Sequence, residues 1–421
     1  MLGNVFEWCA DRFDTEGSVL PHPEGIPPSD LRVARGGSCG SRALEVRAAF
    51  RYARASEATN GDLGFRLAAR LEAVPSLIPS RTQLLAEFGA PDDIDWARDL
   101  GRDRFGLWAE IEVKGVRHRL RWIPPGRFWM GSPEGEAGRW EDEGPRHLVT
   151  LSRGFWLGET PCTQALWEAV TGKNPSEFKS PTRPVEQVSW NDCQRFLARL
   201  DEAVPGFVPR LPSEAEWEYA CRAGTETATY AGDLEILGER NAPLLDPIAW
   251  YGGNSGKGFD LKKGFDSSDW PEKQYDHRRA GTRPVGEKAP NPWGLRDMLG
   301  NVYEWCSDGY GPYAPGAVQD PAGPAEGSLR VLRGGSWLSH AEYVRAAHRI
   351  RGGPDARDGY LGFRLARGQG APGQESERAG GGAARAGQAG TAVGPARSTR
   401  PQGVSQGAGV TKTRASSKRK Q

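Results

Sequence analysis

The sequence predicts a loop-rich α+β fold with small antiparallel sheets and two or three helices. Three observations carry that expectation. The chain holds 56 Gly and 15 Trp among 421 residues, a composition suited to long bending segments held by large aromatic anchors. Its alternating apolar runs are short and broken by Gly and Pro, as in short strands. Only a few segments combine helical spacing with proper start and stop signals.

Taken in order, residues 72–106 read as a helical connector, because Arg81 to Phe88 and Trp96 to Leu100 place apolar residues near helical spacing. Ala109, Ile111 and Val113, then Val116, His118, Leu120 and Trp122, alternate around Lys114-Gly115, the pattern of a hairpin with a two-residue turn. Pro124-Pro125-Gly126 breaks the second strand, and Phe128 to Ser132 is a short extended piece. A charged loop, Glu134 to Arg146, leads to a strand over 147–151. Thr163 caps a helix from Gln164 to Val170 that Gly172 ends. Trp190-Asn191-Asp192 opens a second helix with Phe196, Leu197 and Leu200 on one side. Ser213 and Glu216 form a capping box for a third, stopped by Gly224. Residues 225–297 are mostly loop, and short strands follow around 302–306, 329–333, 344–349 and 362–365.

Two stretches nearly coincide. Met1-Leu2-Gly3-Asn4-Val5-Phe6-Glu7-Trp8-Cys9 recurs as Met298 to Cys306, with Val302-Tyr303 for Val5-Phe6. Arg35-Gly36-Gly37-Ser38 recurs as Arg333 to Ser336, and Leu63 to Ala68 as Leu361 to Ala366. Spacings between these anchors differ by about one residue, which points to a duplicated unit. The expected organisation is a partial C-terminal half-unit at 1–71, the connector at 72–106, a complete domain at 107–368 and a basic tail at 369–421. The tail has no aromatic residue and is rich in Gly, Ala, Ser, Gln and Arg, so it is expected to be disordered.

Composition excludes several functions. A net charge of +1 gives no steering toward nucleic acid or a membrane surface, and no apolar run of about 18 residues is present to span a bilayer. The six cysteines (Cys9, Cys39, Cys162, Cys193, Cys221 and Cys306) form no C-x-x-C pair, so they are expected as buried reduced thiols. The six histidines (His22, His118, His147, His277, His340 and His348) form no metal-binding cluster, and no phosphate loop, Gly-x-Ser-x-Gly or His-Glu-x-x-His motif occurs. Without a signal peptide the default expectation is a cytoplasmic protein, with a true start upstream of the repeated motif left open.

An ordered motif set is distinctive: Met130-Gly131-Ser132, Pro184-Val185, Val188-Ser189-Trp190, Arg210 to Glu218, Asn291-Pro292-Trp293-Gly294-Leu295, Met298 to Trp305, Arg333 to Ser336 and Gly362-Phe363-Arg364. It resembles the sulfatase-modifying-factor family typified by formylglycine-generating enzyme, in full over 107–367 and in its C-terminal part over 1–71. The resemblance implies a C-type-lectin-like α+β architecture. It also implies a calcium site at the repeated motif, with Asn301 and Glu304 as side-chain ligands and Gly300 and Val302 as backbone ones; Ca2+ suits loops that lack disulfide cross-links. Asn254, in a Gly-rich loop, is a candidate for a second site. Family oxidases bind copper(I) through cysteines three and eight residues after the serine of Arg-Gly-Gly-Ser. Those positions are Ser339 and Val344 here, and neither is a soft donor, so copper is not expected. The related iron-dependent sulfoxide synthases need a histidine triad that has no counterpart.

With no catalytic residue assigned, the expectation is a calcium-supported accessory module that binds an unknown peptide, protein or glycan. The loop after the Arg-Gly-Gly-Ser motif would supply Ser336, Trp337, Ser339, His340, Tyr343 and Arg345, with Trp305 beneath. One alternative is an oxidoreductase of the family using a non-standard site. Another is a variable binding protein of a diversity-generating retroelement, since such proteins use this lectin-like fold and the two copies diverge mainly between the Arg-Gly-Gly-Ser and Gly-Phe-Arg anchors.

Overall fold

The computed structural model describes the strands 6–12, 31–35, 52–55 and 63–65, and then residues 80–324 and 327–368. The expectations for His22, Cys39 and the 369–421 tail lie outside the described residues, as does the side chain of Cys9. The chain divides into two units, Met1–Pro79 and Ser80–Gln421.

In the first unit, β1 (Phe6–Arg12), β2 (Leu31–Arg35), β3 (Tyr52–Ala55) and β4 (Leu63–Phe65) form one sheet in the order β3-β2-β1-β4. Strand β1 pairs antiparallel with β2, Glu7 facing Arg35, and parallel with β4, Glu7 facing Gly64.

The second unit opens with helix α1 (Arg81–Glu87), followed by β5 (Asp99–Asp103), β6 (Gly106–Val113) and β7 (Val116–Ile123). Next come β8 (Gly126–Met130), β9 (His147–Leu151) and β10 (Phe155–Gly158). Three helices follow, α2 (Gln164–Thr171), α3 (Trp190–Ala203) and α4 (Glu214–Arg222), with β11 (Pro209–Arg210) before the last. Two-residue strands β12 (Phe265–Asp266) and β13 (Arg279–Ala280) interrupt the long loop. The C-terminal part carries β14 (Tyr303–Gly309), β15 (Val318–Gln319), β16 (Arg330–Arg333), β17 (Arg349–Gly352), β18 (Leu361–Phe363) and β19 (Ala366–Arg367).

Strands β11-β19-β10-β7-β6-β5 make the largest sheet, while β17-β16-β14-β18 and β15-β9-β8 make two smaller ones. Most pairings are antiparallel, but β14–β18 and β9–β15 are parallel. The sheet around β14 has the strand order and register of the first unit: Glu304 faces Arg333 on one side and Gly362 on the other.

Local chemistry explains the elements. Lys114 (φ 49°) and Gly115 (φ 81°) both sit left-handed between the paired Val113 and Val116, the backbone of a type I′ turn whose twist suits a hairpin. Each of α2, α3 and α4 starts at a Ser or Thr whose hydroxyl accepts an amide of the first turn. One apolar core joins α2 and α3 to β6 and β7 through Leu166, Phe196, Leu200, Ala109 and Leu120; a second sets Trp217 and Ala220 of α4 against Val149, Leu157 and Met298.

Two expectations need correction. The connector is helical only at α1. Trp96 is buried against Trp156 and Phe207, with ring centroids 5.7 and 5.0 Å away, and β5 then completes the open edge of β6 by pairing Leu100 with Ala109. The strand expected over 344–349 begins only at Arg349, because a 3-10 turn (Ala341–Tyr343) and bends carry the chain inward at Arg345.

Candidate functional site

The loop that follows β16 is held from below. Gly300, in the turn before β14, donates its amide to the Gly334 carbonyl at 2.8 Å, and the Asn301 carbonyl accepts from Trp337 at 2.9 Å. Gly300 has φ 78°, and a Cβ there would lie 2.3 Å from the Trp250 carbonyl oxygen, so only glycine fits.

Five of the seven expected pocket residues are buried, which corrects the picture of an open floor. Trp305 is fully buried and donates its indole N–H to the Val188 carbonyl. Trp337 is 2% exposed, donates to the Gly359 carbonyl and packs on Phe178 and Trp270. Arg345 is fully buried. It grips Glu143 through two nitrogens and Glu136 through one, stapling the charged 134–146 loop to the core. Ser336 and Ser339 are buried against each other: the Ser339 hydroxyl accepts the Ser336 amide at 2.9 Å, and the two oxygens stand 3.1 Å apart. Val344 belongs to the apolar core.

His340 and Tyr343 do reach the surface, half-buried. Tyr343 stacks between His340 and His348 at 5.4 and 5.0 Å, and Trp140, 48% exposed, closes edge-on at 5.7 Å. Arg240 touches the His340 ring nitrogen at 2.8 Å and lies over Trp270. Burial and the Arg240 charge hold His340 below the usual histidine range. His348 is buried, and that burial also lowers its basicity; its Nε2 contacts the Tyr303 hydroxyl at 3.3 Å. The accessible face is therefore aromatic, built from Trp140, Tyr343, His340, Trp270 and the exposed Phe265. Trp140, Phe265 and Trp270 had escaped sequence reasoning, although aromatic residues inside otherwise polar loops are a usable signal.

The expected calcium ligands already carry protein hydrogen bonds. Asn301 is fully buried, and its Oδ1 accepts the Arg283 amide at 3.0 Å, which leaves that oxygen one lone pair. Asn254 Oδ1 accepts the Tyr251 amide, and its Nδ2 donates to Asp246 and to the Ala249 carbonyl. Glu304 is 1% exposed; Arg364 binds both its oxygens at 2.8 and 2.9 Å, and Trp217 donates to one at 2.7 Å.

The structure adds Asp297, which is 1% exposed, has φ 52° and takes the Gly286 amide at 2.6 Å and a longer contact from Asn301. Burial, with the Glu304 charge contributing, raises its pKa to about 6. Arg364 binds both oxygens of Glu304 but only the backbone carbonyl of Asp297, so the buried Asp297 carboxylate has no ion-pair partner among the described residues. Its oxygens, with those of Asn301 and Glu304, are hard donors of the kind calcium takes.

The described cysteines, Cys162, Cys193, Cys221 and Cys306, are all unpaired and buried, and burial raises each thiol. Among the described residues no helix is long and apolar enough to cross a membrane.

Comparison with known proteins bears on this geometry. The family model for the sulfatase-modifying factor enzyme 1-like domain matches residues 1–71 and 112–369. A formylglycine-generating enzyme from Streptomyces coelicolor is 37% identical over 310 residues, 60% of this chain and 90% of that one. The chaperone protein LppX of Paenibacillus barcinonensis is 32% identical over 227 residues, 45% of this chain and 71% of that one. Among solved structures, Treponema denticola variable protein 1 superposes with a TM-score of 0.50 at 30% identity, covering 62% of this chain and 98% of its own.

Proposed function

The chain belongs to the sulfatase-modifying factor enzyme 1-like family, with its C-type-lectin-like α+β fold, and we propose that within it the chain acts as a binding module, not as a copper oxidase. One observation carries this reading. At the two positions where the family resemblance asks for copper thiolates, this chain has a serine hydroxyl hydrogen-bonded to its neighbour Ser336 and a valine in the core. Copper(I) needs soft sulfur donors, and neither residue can supply one. The residues present do not fit copper at that loop.

The binding face is the aromatic surface of Trp140, His340, Tyr343 and Trp270, mounted on a buried polar frame. Large rings fixed by ion pairs and core packing suit recognition of a peptide, a protein or a glycan. Calcium, held by the Asp297 and Glu304 carboxylates and the Asn301 amide oxygen with the Gly300 and Val302 carbonyls, would cross-link the loop beneath that face. The match of the family model to residues 1–71 and the shared strand register support reading the first unit as the C-terminal half of a second copy. A second reading, a variable protein of a diversity-generating retroelement, is favoured by the likeness to Treponema denticola variable protein 1.

The test is oxidase chemistry on the purified full chain: copper(I) uptake and oxygen-dependent conversion of a cysteine-containing sulfatase peptide, with the Streptomyces coelicolor protein as positive control. No turnover above background is expected; turnover would overturn the binding-module reading.

A further inference from the structure

A cavity of about 590 Å³ opens on a different part of the second unit, where the end of α2, the 173–175 loop, the outer side of α3, Gln187 and Arg357 meet. Its floor is rigid: Trp167 and Phe196 are buried and stacked with centroids 4.8 Å apart and planes 5° from parallel. Its volume lies in the range of small-ligand sites.

The charge of the lining is one-sided. Lys173, Arg195, Arg199 and Arg357 stand against one acid, Asp192. Asp192 is already committed: Arg195 and Arg357 both donate to it, as do the Ser189 amide and hydroxyl at the start of α3. Burial alone would raise its pKa, but these donors hold it at about 2. The acid therefore fixes two guanidiniums in place and leaves their other N–H groups directed elsewhere. Lys173 and Arg199 are exposed, and neither side chain has a hydrogen-bond or ion-pair partner among the described residues. Gln187 adds an amide from a backbone at φ 62°, a strained conformation for a residue with a side chain.

We propose that this cavity is a binding site for a ligand carrying two or more carboxylates. A phosphate would favour a helix N-terminus or a nest of backbone amides. Here the N-terminus of α3 is already capped by the Asp192 carboxylate, which would repel it. The cations offered are side chains spread over α2's end and α3's face, one per separated monoanion. Each carboxylate meets Lys173 or Arg199, the Asp192-anchored arginines hold a further acceptor, and the aliphatic stems cover the ligand's apolar body. The ligand is either a free polycarboxylate or acidic side chains of a peptide.

Calorimetric titration of the full chain at about 20 mM salt, where surface charge is least screened, tests this with three probes: citrate, an end-blocked hexaglutamate peptide and its hexaglutamine counterpart. Binding of citrate or hexaglutamate is expected, with hexaglutamine silent; the tighter of the two identifies the source as a small molecule or a protein partner. The double variant Lys173→Gln/Arg199→Gln should weaken that binding about tenfold or more while melting as the parent does, since neither side chain has a partner to lose. Equal binding by parent and variant, or no binding of either acidic probe, would overturn the site.

Discussion

Glu186 is fully buried; Oε1 accepts the Phe178 amide at 2.8 Å, and Oε2 has no partner among the described residues. Burial raises its pKa from the usual 4.5 to about 7. The sign follows from linkage: the folded chain binds this proton more tightly than the unfolded chain. The contribution to stability is thus fully present below about pH 4.5 and is lost as pH rises through 7. The loss is on the order of 3 kcal/mol. Denaturant melts of Glu186→Gln between pH 4.5 and 8 should show a flatter pH dependence than the parent; parallel curves would refute the assignment. Asp297 poses a different problem, because Arg364 pairs with Glu304 and reaches only the Asp297 backbone carbonyl, leaving the Asp297 carboxylate without an ion-pair partner among the described residues. Calcium should raise the melting temperature relative to EDTA by about 5 °C, if the ion is supplied at about a hundred times its dissociation constant. Asp297→Asn should erase that difference. Identical melting of the parent in calcium and in EDTA would remove the metal from the picture.

At the scale of elements, what could be read from the sequence was what short-range chemistry dictates. The Lys114-Gly115 turn, the hydroxyl caps at Thr163 and Ser213 and Gly172 act within four residues of themselves, so their pattern survives any tertiary context. Long-range partners were not legible. Trp96 to Leu100 has helical spacing, yet the free edge of β6 and the Trp156 ring draw it into a turn and strand. Arg345 looked like a ligand contact because an arginine in a loop is usually wet. Nothing local announced that Glu136 and Glu143, about 200 positions earlier, would bury it. The candidate site divides the same way. Asn301 and Glu304 were readable from their motif, but not the Arg283 amide that binds the one or the Arg364 guanidinium that binds the other. Asp297 was missed because its closeness to Glu304 exists only once the left-handed turns at Asp297 and Gly300 are formed.

For the whole molecule, the boundary that matters lies upstream of the family match. The family model begins its second segment at residue 112, and motif resemblance alone set the domain start at 107. The folded unit starts at Ser80. Leu84, Leu85, Ile94 and Trp96 are each at most 6% exposed within its core. The Trp122 indole donates to the Phe88 carbonyl, and Arg367 of β19 is paired with Asp93. Strand β5 covers the edge of β6. A chain starting at 107 would lose all of these and expose an unpaired edge, whereas one starting at 80 keeps them. Burial of four large side chains is worth roughly 1.5–3 kcal/mol each, so calorimetry should find the 107 start melting at least about 10 °C below the 80 start. Coincident transitions would mean that residues 80–106 merely decorate a domain already complete without them, and that the motif boundary is also the physical one.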